Sequence, residues 1–283
     1  MSIALAPNEE QAALWNGVAG ITWVEAQGLL DRMFEPFERL LVETARAADA
    51  RGVLDVGCGT GATTLAIARS GVMDGRFVGV DVSEPMIEVA RRRAHREASP
   101  ARFVCADAQT CAFEPAAFDM IVSRFGVMFF DDPVRAFSNL RLAARAGGSL
   151  RVIAWRSPAE NDFMTTAERA AAPLLPSLAP RQADAPGQFA FADARRVRGI
   201  LERSGWADTD VRALDVACFV AEQDLVAYVT RLGLIGRALR EADAQTRDRV
   251  IAAVRPAFEP YVQGDEVRFV AACWMIGARA PAR

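Results

Sequence analysis

Two rhythms of apolar and polar positions run along this chain. Short apolar runs recur at 53–56, 77–81, 102–106, 118–123 and 149–155. Between them, at 61–70, 84–97 and 133–145, apolar residues return every three or four positions. Strand-length runs separated by helix-length amphipathic stretches predict a mostly parallel sheet with crossover helices. Right-handed crossovers would put the carboxyl ends of the strands along one edge, and ligands of such sheets bind outside that edge. Ser83 or Asp81 reads as the cap of the helix at 84–97, and Gly147-Gly148 as the turn that ends the helix at 133–145.

The flanks are more helical. Helices are predicted at 9–18 and 23–48, the second carrying a stripe of Leu29, Leu30, Met33, Phe34, Phe37, Leu40 and Leu41, with a break at Gly17-Val-Ala-Gly20. Beyond Trp155 the pattern loosens, and prolines at 158, 173, 176, 180 and 186 mark 156–192 as an inserted helical cap. A helix at 193–204 closed by Gly205, a strand at 209–219, helices across 222–260 and a strand at 267–278 complete the reading. The expected fold is α/β: a doubly wound, mostly parallel seven-stranded sheet with helical cap insertions. Residues 1–50 form an N-terminal helical segment, 51–155 the core and 156–192 the cap. Residues 193–283 finish the sheet around a helical insertion at 222–260.

Composition narrows the class. The 283 residues are 52% hydrophobic and 24% charged, a globular balance. No 18-residue uncharged stretch suits a membrane span, and residues 1–10 lack the basic and apolar regions of a signal peptide. The formal charge of −3 argues against a general grip on nucleic acid. Every basic residue save one histidine is arginine, which genomic codon bias explains. Cysteines 58, 105, 111, 218 and 273 form no C-x-x-C pair and have no histidine beside them, so no metal site is expected. Free thiols fit a reducing cytoplasm. His95, in Arg91-Arg-Arg-Ala-His-Arg96, reads as part of a solvated helix face.

The most informative stretch is Val53-Leu-Asp-Val-Gly-Cys-Gly-Thr-Gly61: an apolar strand, an acid, and a glycine-rich turn opening into a helix. Glycines let a ligand approach where a Cβ would collide, and a helix start leaves N–H groups free. Asp55, Gly57, Gly59 and Gly61 match (D/E)-x-G-x-G-x-G, and the stretch resembles motif I of the class I S-adenosylmethionine (SAM)-dependent methyltransferases. The same turn also satisfies the dinucleotide pattern G-x-G-x-x-G/A through Gly57, Gly59 and Ala62.

The surrounding acids separate the two. Asp81 ends the second strand about 20 residues on, where a carboxylate can accept from both ribose hydroxyls; NAD asks for the same, and a helix cap is the plainer alternative. Phe103-Val-Cys-Ala-Asp107-Ala108 resembles a further methyltransferase motif. The resemblance implies that Asp107 accepts from the adenine amino group and that Ala108 offers its backbone N–H; the alternative is a loop-capping aspartate. Asp55 would offset the cationic α-ammonium of SAM, or is a satisfied turn residue. Met86, after Val82, would lie on the adenine face, or in the core. With no lysine there is no Tyr-x-x-x-Lys pair for hydride chemistry.

The run 118–130, with Asp132-Pro and Ala146-Gly-Gly after it, is similar to the ubiquinone-biosynthesis-type methyltransferases of small molecules; Leu14-Trp-Asn-Gly-Val-Ala-Gly20 is similar to a lid segment of that group. The resemblance covers roughly 10–155 well. It implies a Rossmann-like methyltransferase fold, SAM as cofactor with S-adenosylhomocysteine (SAH) as product, and a SAM-binding core at 51–155 under a lid at 1–50. The cofactor residues would be Asp55, Gly57, Cys58, Gly59, Gly61, Asp81, Val82, Met86, Asp107, Ala108 and Ser123. Segment 123–130 lacks the Asn/Asp-Pro-Pro-Tyr/Phe motif of nucleic-acid amino methylation.

A small-molecule acceptor pocket is expected, with walls from the N-terminal helices, 156–192 and 222–260. Trp15, Trp23, Arg124, Phe125, Met128 and Phe163 are the candidate lining residues. Phe129 reads rather as core, and Arg124 pairs either with a ligand carboxylate or with a structural acid. Alignment and exclusion of water would carry the reaction, so no catalytic base is assigned. A NAD(P)-dependent oxidoreductase and a non-catalytic SAM-binding module stand as alternatives.

Overall fold

Strand β1 (Gly52–Val56) is buried from end to end, Asp55 included, as befits a strand covered on both faces. The computed structural model describes residues 8–70, 75–176, 178, 181 and 185–282. Six strands join β1 in the main sheet: β2 (Arg76–Asp81), β3 (Arg102–Cys105), β4 (Phe118–Arg124), β5 (Ala144–Trp155), β6 (Ala207–Ala221) and, after the two-residue β7 (Val262–Gln263), β8 (Glu266–Arg279). Their order is β3-β2-β1-β4-β5-β8-β6, and β7 pairs with β8 off that path. Neighbours among the first five pair in parallel, while β8 runs antiparallel to β5 and β6. The chain order reverses between β1 and β4, which is where a ligand crevice opens in such a sheet.

Helices α1 (Glu9–Asn16), α2 (Val18–Glu25) and α3 (Gln27–Ala47) precede the sheet. The predicted break at Gly17 is real, but Ala19 and Gly20 are helical, and the predicted long helix divides at Ala26. Gly20 sits so close under the Trp15 carbonyl that a Cβ there would lie 1.9 Å from its oxygen, so the glycine serves close packing of α2 on α1. α3 buries Leu30, Met33, Phe34, Phe37 and Leu41 of the stripe read from its periodicity, while Leu29 and Leu40 are half-buried at its edges.

Crossovers α4 (Ala62–Ser70), α5 (Glu84–Arg96) and α6 (Pro133–Ala143) follow β1, β2 and β4. Ser83 occupies the cap position of α5 without capping it by its side chain. Its hydroxyl donates to the Trp15 carbonyl, and the Glu84 N–H is met instead by the Asn16 side chain from α1. Asp132 does cap α6, accepting from Arg135 N at 3.0 Å. Residues 144–148 are not a simple helix stop: they open β5 as a bulge, with Phe118 opposite Ala144 but Met120 opposite Ser149.

The remaining helices are α7 (Asp162–Ala171), α8 (Ala194–Arg203), α9 (Leu225–Arg231), α10 (Gly233–Glu241) and α11 (Ala244–Ala257). Residues 1–7, read above as lacking an export signal, lie outside the described residues, as do 177, 179–180 and 182–184 of the expected cap, Pro180 among them. Among the described residues no helix is long and apolar enough to cross a membrane.

Candidate active site

The turn after β1 folds under the end of β2: the N–H groups of Gly57 and Cys58 both reach the Val80 carbonyl, at 2.8 and 3.1 Å. Its glycines serve three separate ends. Gly57 (φ +66°) lies against the loop after β4, where a Cβ would stand 2.5 Å from the Gly126 Cα. Gly61 (φ +86°) is jammed against the Phe103 ring and Ala90, where it lets α4 approach β3 and α5. Gly59 (φ +55°) has open space above it: a Cβ there would meet only the Met86 sulfur, at 3.8 Å. It forms part of the floor of a pocket at the strand ends.

Across that floor, Phe125 holds a left-handed backbone (φ +66°), a conformation costly for a bulky residue. Packing fixes it there: its ring stacks on Trp155 at 4.6 Å and meets Phe37 edge-on at 5.0 Å. The turn brings Gly126 onto Gly57, closing the seam between the β1 and β4 loops.

Two carboxylates stand at adjacent strand ends and both line the pocket. Asp81 accepts from Gly59 N at 2.8 Å and Ser83 N at 2.9 Å, which fixes its carboxylate beside the open glycine. Burial pushes its pKa up, against the pull of these N–H donors. Asp107 accepts from Asn8 Nδ2 at 3.1 Å and Gln109 N at 2.9 Å. Val82, Met86 and Ala108 supply apolar surface to the same pocket.

Asp55 is placed differently. It is 1% exposed, is absent from the pocket lining, and accepts from Thr64 Oγ1 of α4 at 2.6 Å. Strand alternation turns its side chain into the layer between β1 and α4. Desolvation there raises its pKa from 3.8 to about 6.

The N-terminal helices cover the pocket. Asn16 grips the loop before α5 in both directions, donating to the Val82 carbonyl and accepting from Glu84 N, each at 2.9 Å. Trp15 meets Trp23 and Phe129 edge-on at 5.7 and 5.1 Å, and all three line the pocket. Phe129 is thus pocket wall rather than core. Asn8 Oδ1 and Gln11 Oε1, both on the pocket lining, are buried acceptors with no hydrogen-bond donor among the described residues.

From α3 come Gln27, Leu30, Asp31 and Phe34, residues that the sequence pattern does not assign to the site. Their spacing of i, i+3, i+4 and i+7 is a single helical face, so the pocket uses the N-terminal end of the stripe taken above as core. Arg93 fastens this face to the glycine turn, reaching Asp31 at 3.0 Å and the Thr60 carbonyl at 3.0 Å.

Arg124 ends β4 and lines the pocket, as does Phe125. Its Nη1 donates to the Phe34 carbonyl at 3.2 Å and its guanidinium stands 5.7 Å from the Phe34 ring. Burial lowers its pKa, while Glu38, Asp31 and Asp55 act at longer range to raise it.

Gly57, Cys58, Gly59, Asp81, Val82, Met86, Asp107, Ala108, Trp15, Trp23, Arg124 and Phe125 therefore converge on one pocket. Besides Asp55, four candidates lie elsewhere. Gly61 is a packing glycine, and Ser123 is fully buried, its hydroxyl accepting from Gly126 N. Met128 is sealed beneath the loop, and Phe163 stacks on Phe269 at 3.8 Å within a separate aromatic cluster. Among the described residues, segments 156–192 and 222–260 contribute no wall. They brace it: Gly187 N donates to the Met128 carbonyl, Arg240 to Thr22 of α2, and Arg32 of α3 pairs with Asp224.

The methyltransferase-domain family matches residues 53–148. Demethylmenaquinone methyltransferase of Renibacterium salmoninarum is 26% identical over 215 residues, covering 73% of this chain and 88% of that protein. Aklanonic acid methyltransferase of Streptomyces sp. (strain C5) is 32% identical over 126 residues, 44% of this chain, and the chain spans only 56% of that relative's length. The YcgJ protein of Bacillus subtilis shares the fold, with a TM-score of 0.56 at 18% identity over 87% of this chain and 98% of that one.

Proposed function

The chain belongs to the class I SAM-dependent methyltransferases, and from that premise we propose that it methylates a small molecule held between the lid helices and the loop after β4. The family match removes the nicotinamide-dependent alternative. One observation carries the placement of the donor: Asp81 and Asp107, at neighbouring strand ends, flank a pocket whose floor is the open Gly59. In this reading Asp81 takes the ribose hydroxyls. Val82, Met86 and Ala108 sandwich the adenine, and Asp107 accepts from its amino group. The unpartnered oxygens of Asn8 and Gln11 suit a ligand rich in N–H and O–H donors. When bound, SAM supplies a methyl group already activated on sulfonium.

What remains for the protein is alignment and dryness. Trp15, Trp23, Phe129 and Phe125 give the acceptor side an aromatic wall, suited to a flat apolar molecule. The relatives named for demethylmenaquinone and aklanonic acid support a small-molecule acceptor. The one histidine, His95, is exposed on α5, away from the pocket lining, so the acceptor is one that ionises readily or is already nucleophilic. The five cysteines are unpaired, which supports the cytoplasmic setting.

Calorimetry with SAH, NAD and NADP tests the reading. SAH should bind and the nicotinamide nucleotides should not. Asp81→Ala should weaken SAH by about 1–3 kcal/mol, the cost of leaving partners unpaired; unchanged affinity in a folded variant removes Asp81 from the donor site.

A further inference from the structure

We propose that Arg124 is an oxyanion receptor built into the pocket, taking either the α-carboxylate of the methyl donor or an ionised oxygen of the acceptor. This deepens the proposed function and rests on it. The observation is an imbalance among arginines. Arg93 and Arg156, each with a side chain only 12% exposed, are both neutralised by contact: Arg93 by Asp31 at 3.0 Å, Arg156 by Glu160 and Asp215 at 3.0 and 2.9 Å. Arg124, half-buried at the end of β4 and lining the pocket, has no carboxylate within 4.0 Å among the described residues. Its one hydrogen bond among those residues, to the Phe34 carbonyl, leaves four of the roughly five guanidinium donors unmatched.

The nearby acids do not fill that gap. Asp31 is engaged by Arg93 and Gln27, and Asp55 by Thr64. Glu38 acts on Arg124 only through space. The surroundings therefore tolerate the positive charge without supplying an acceptor to its fork. Phe34, Phe125 and Phe129 line the same pocket and give it apolar surface beside the guanidinium. A planar, permanently charged fork with spare donors on the pocket lining is matched by a carboxylate, or by a phenolate or enolate oxygen. If that oxyanion belongs to the acceptor, Arg124 favours its ionised form without a base.

The test compares matched ligands on the wild type, Arg124→Met and Arg124→Lys, with cooperative thermal unfolding as the check on folding. SAH is titrated against its decarboxylated analogue, 5′-S-(3-aminopropyl)-5′-thioadenosine. In the SAH-loaded protein, 2-naphthoate is titrated against 2-naphthamide. If the donor carboxylate is the ligand, the wild type prefers SAH at least tenfold and Arg124→Met erases the preference. If the acceptor is the ligand, the donor pair responds alike in both proteins, while the wild type prefers naphthoate at least tenfold and Arg124→Met loses it. Arg124→Lys should restore part of either preference and stands in if the methionine variant does not fold. No preference in the wild type, or one that survives loss of the charge, overturns the inference. Tight SAH binding with no preference in either pair would sink this inference alone, whereas absence of SAH binding would sink the function it rests on.

Discussion

Two aromatic clusters in this molecule are built from similar residues and put to different use. Trp15, Trp23 and Phe129 meet edge-on, remain partly exposed and wall the pocket. Phe163, Tyr228, Phe258, Tyr261 and Phe269 close on one another between α7, α9, α11 and β8, with Phe163 and Phe269 parallel to within 1°. The second cluster is chemically complete. The Tyr228 hydroxyl finds the Met164 sulfur and the Tyr261 hydroxyl finds Thr166. The first has unmatched company: the orphan oxygens of Asn8 and Gln11, and a guanidinium with spare donors. Aromatic content does not separate a binding wall from a core; unmet hydrogen-bonding capacity beside it does.

The largest expected effect lies in the complete cluster. Phe163→Ala should lower stability by about 3–5 kcal/mol through the cavity it leaves, measured by urea unfolding, while SAH affinity of the folded protein stays as it was. A tenfold loss of SAH affinity would merge the two clusters into one functional unit.

Next comes the buried acid on the site side. The folded pKa of Asp55 is raised from 3.8 to about 6, so its contribution to stability is complete below pH 4 and is lost as pH rises through 6. A rise of that size corresponds to about 3 kcal/mol. Asp55→Asn keeps an acceptor for Thr64 and removes that loss. The variant should therefore gain on the wild type between pH 4 and pH 7, followed by denaturant midpoints across that range. A constant difference would mean that Asp55 stays ionised when folded.

The smallest effect concerns the lid. Asn16→Ala removes both bonds to the loop before α5 and should weaken SAH by about 1 kcal/mol, mainly as faster release in stopped-flow traces. Unaltered release would show that the two tryptophans hold the lid without the latch.

The same contrast explains what a sequence can reveal. Asp81, Asp107 and the glycine turn are legible because strand ends and φ-positive turns are local features with fixed spacing. Phe163 and Met128 are misplaced by pattern alone because an aromatic or methionine at helical spacing looks alike in a wall and in a core. Asp55 departs from expectation for a geometric reason: alternation along β1 points it at α4, although its position beside the turn suggests the pocket. Asn8 and Gln11 carry no pattern at all, since a polar residue on a short helix ordinarily faces water. Gln27, Asp31 and Phe34 are visible as one helical face, but two polar residues on a core stripe acquire meaning only once the strand ends they cover are known.

The contact of Gly57 with Gly126 has a mechanical consequence. In the proposed reading the β1 loop seats the methyl donor and the β4 loop faces the acceptor, and backbone touching backbone leaves neither loop free to shift alone. A displacement of one partner in the reaction would drag the seat of the other with it. On that reading the register between the two reactants would be inherited from the weld between two loops, and a single methyl group inserted there would pry the loops apart.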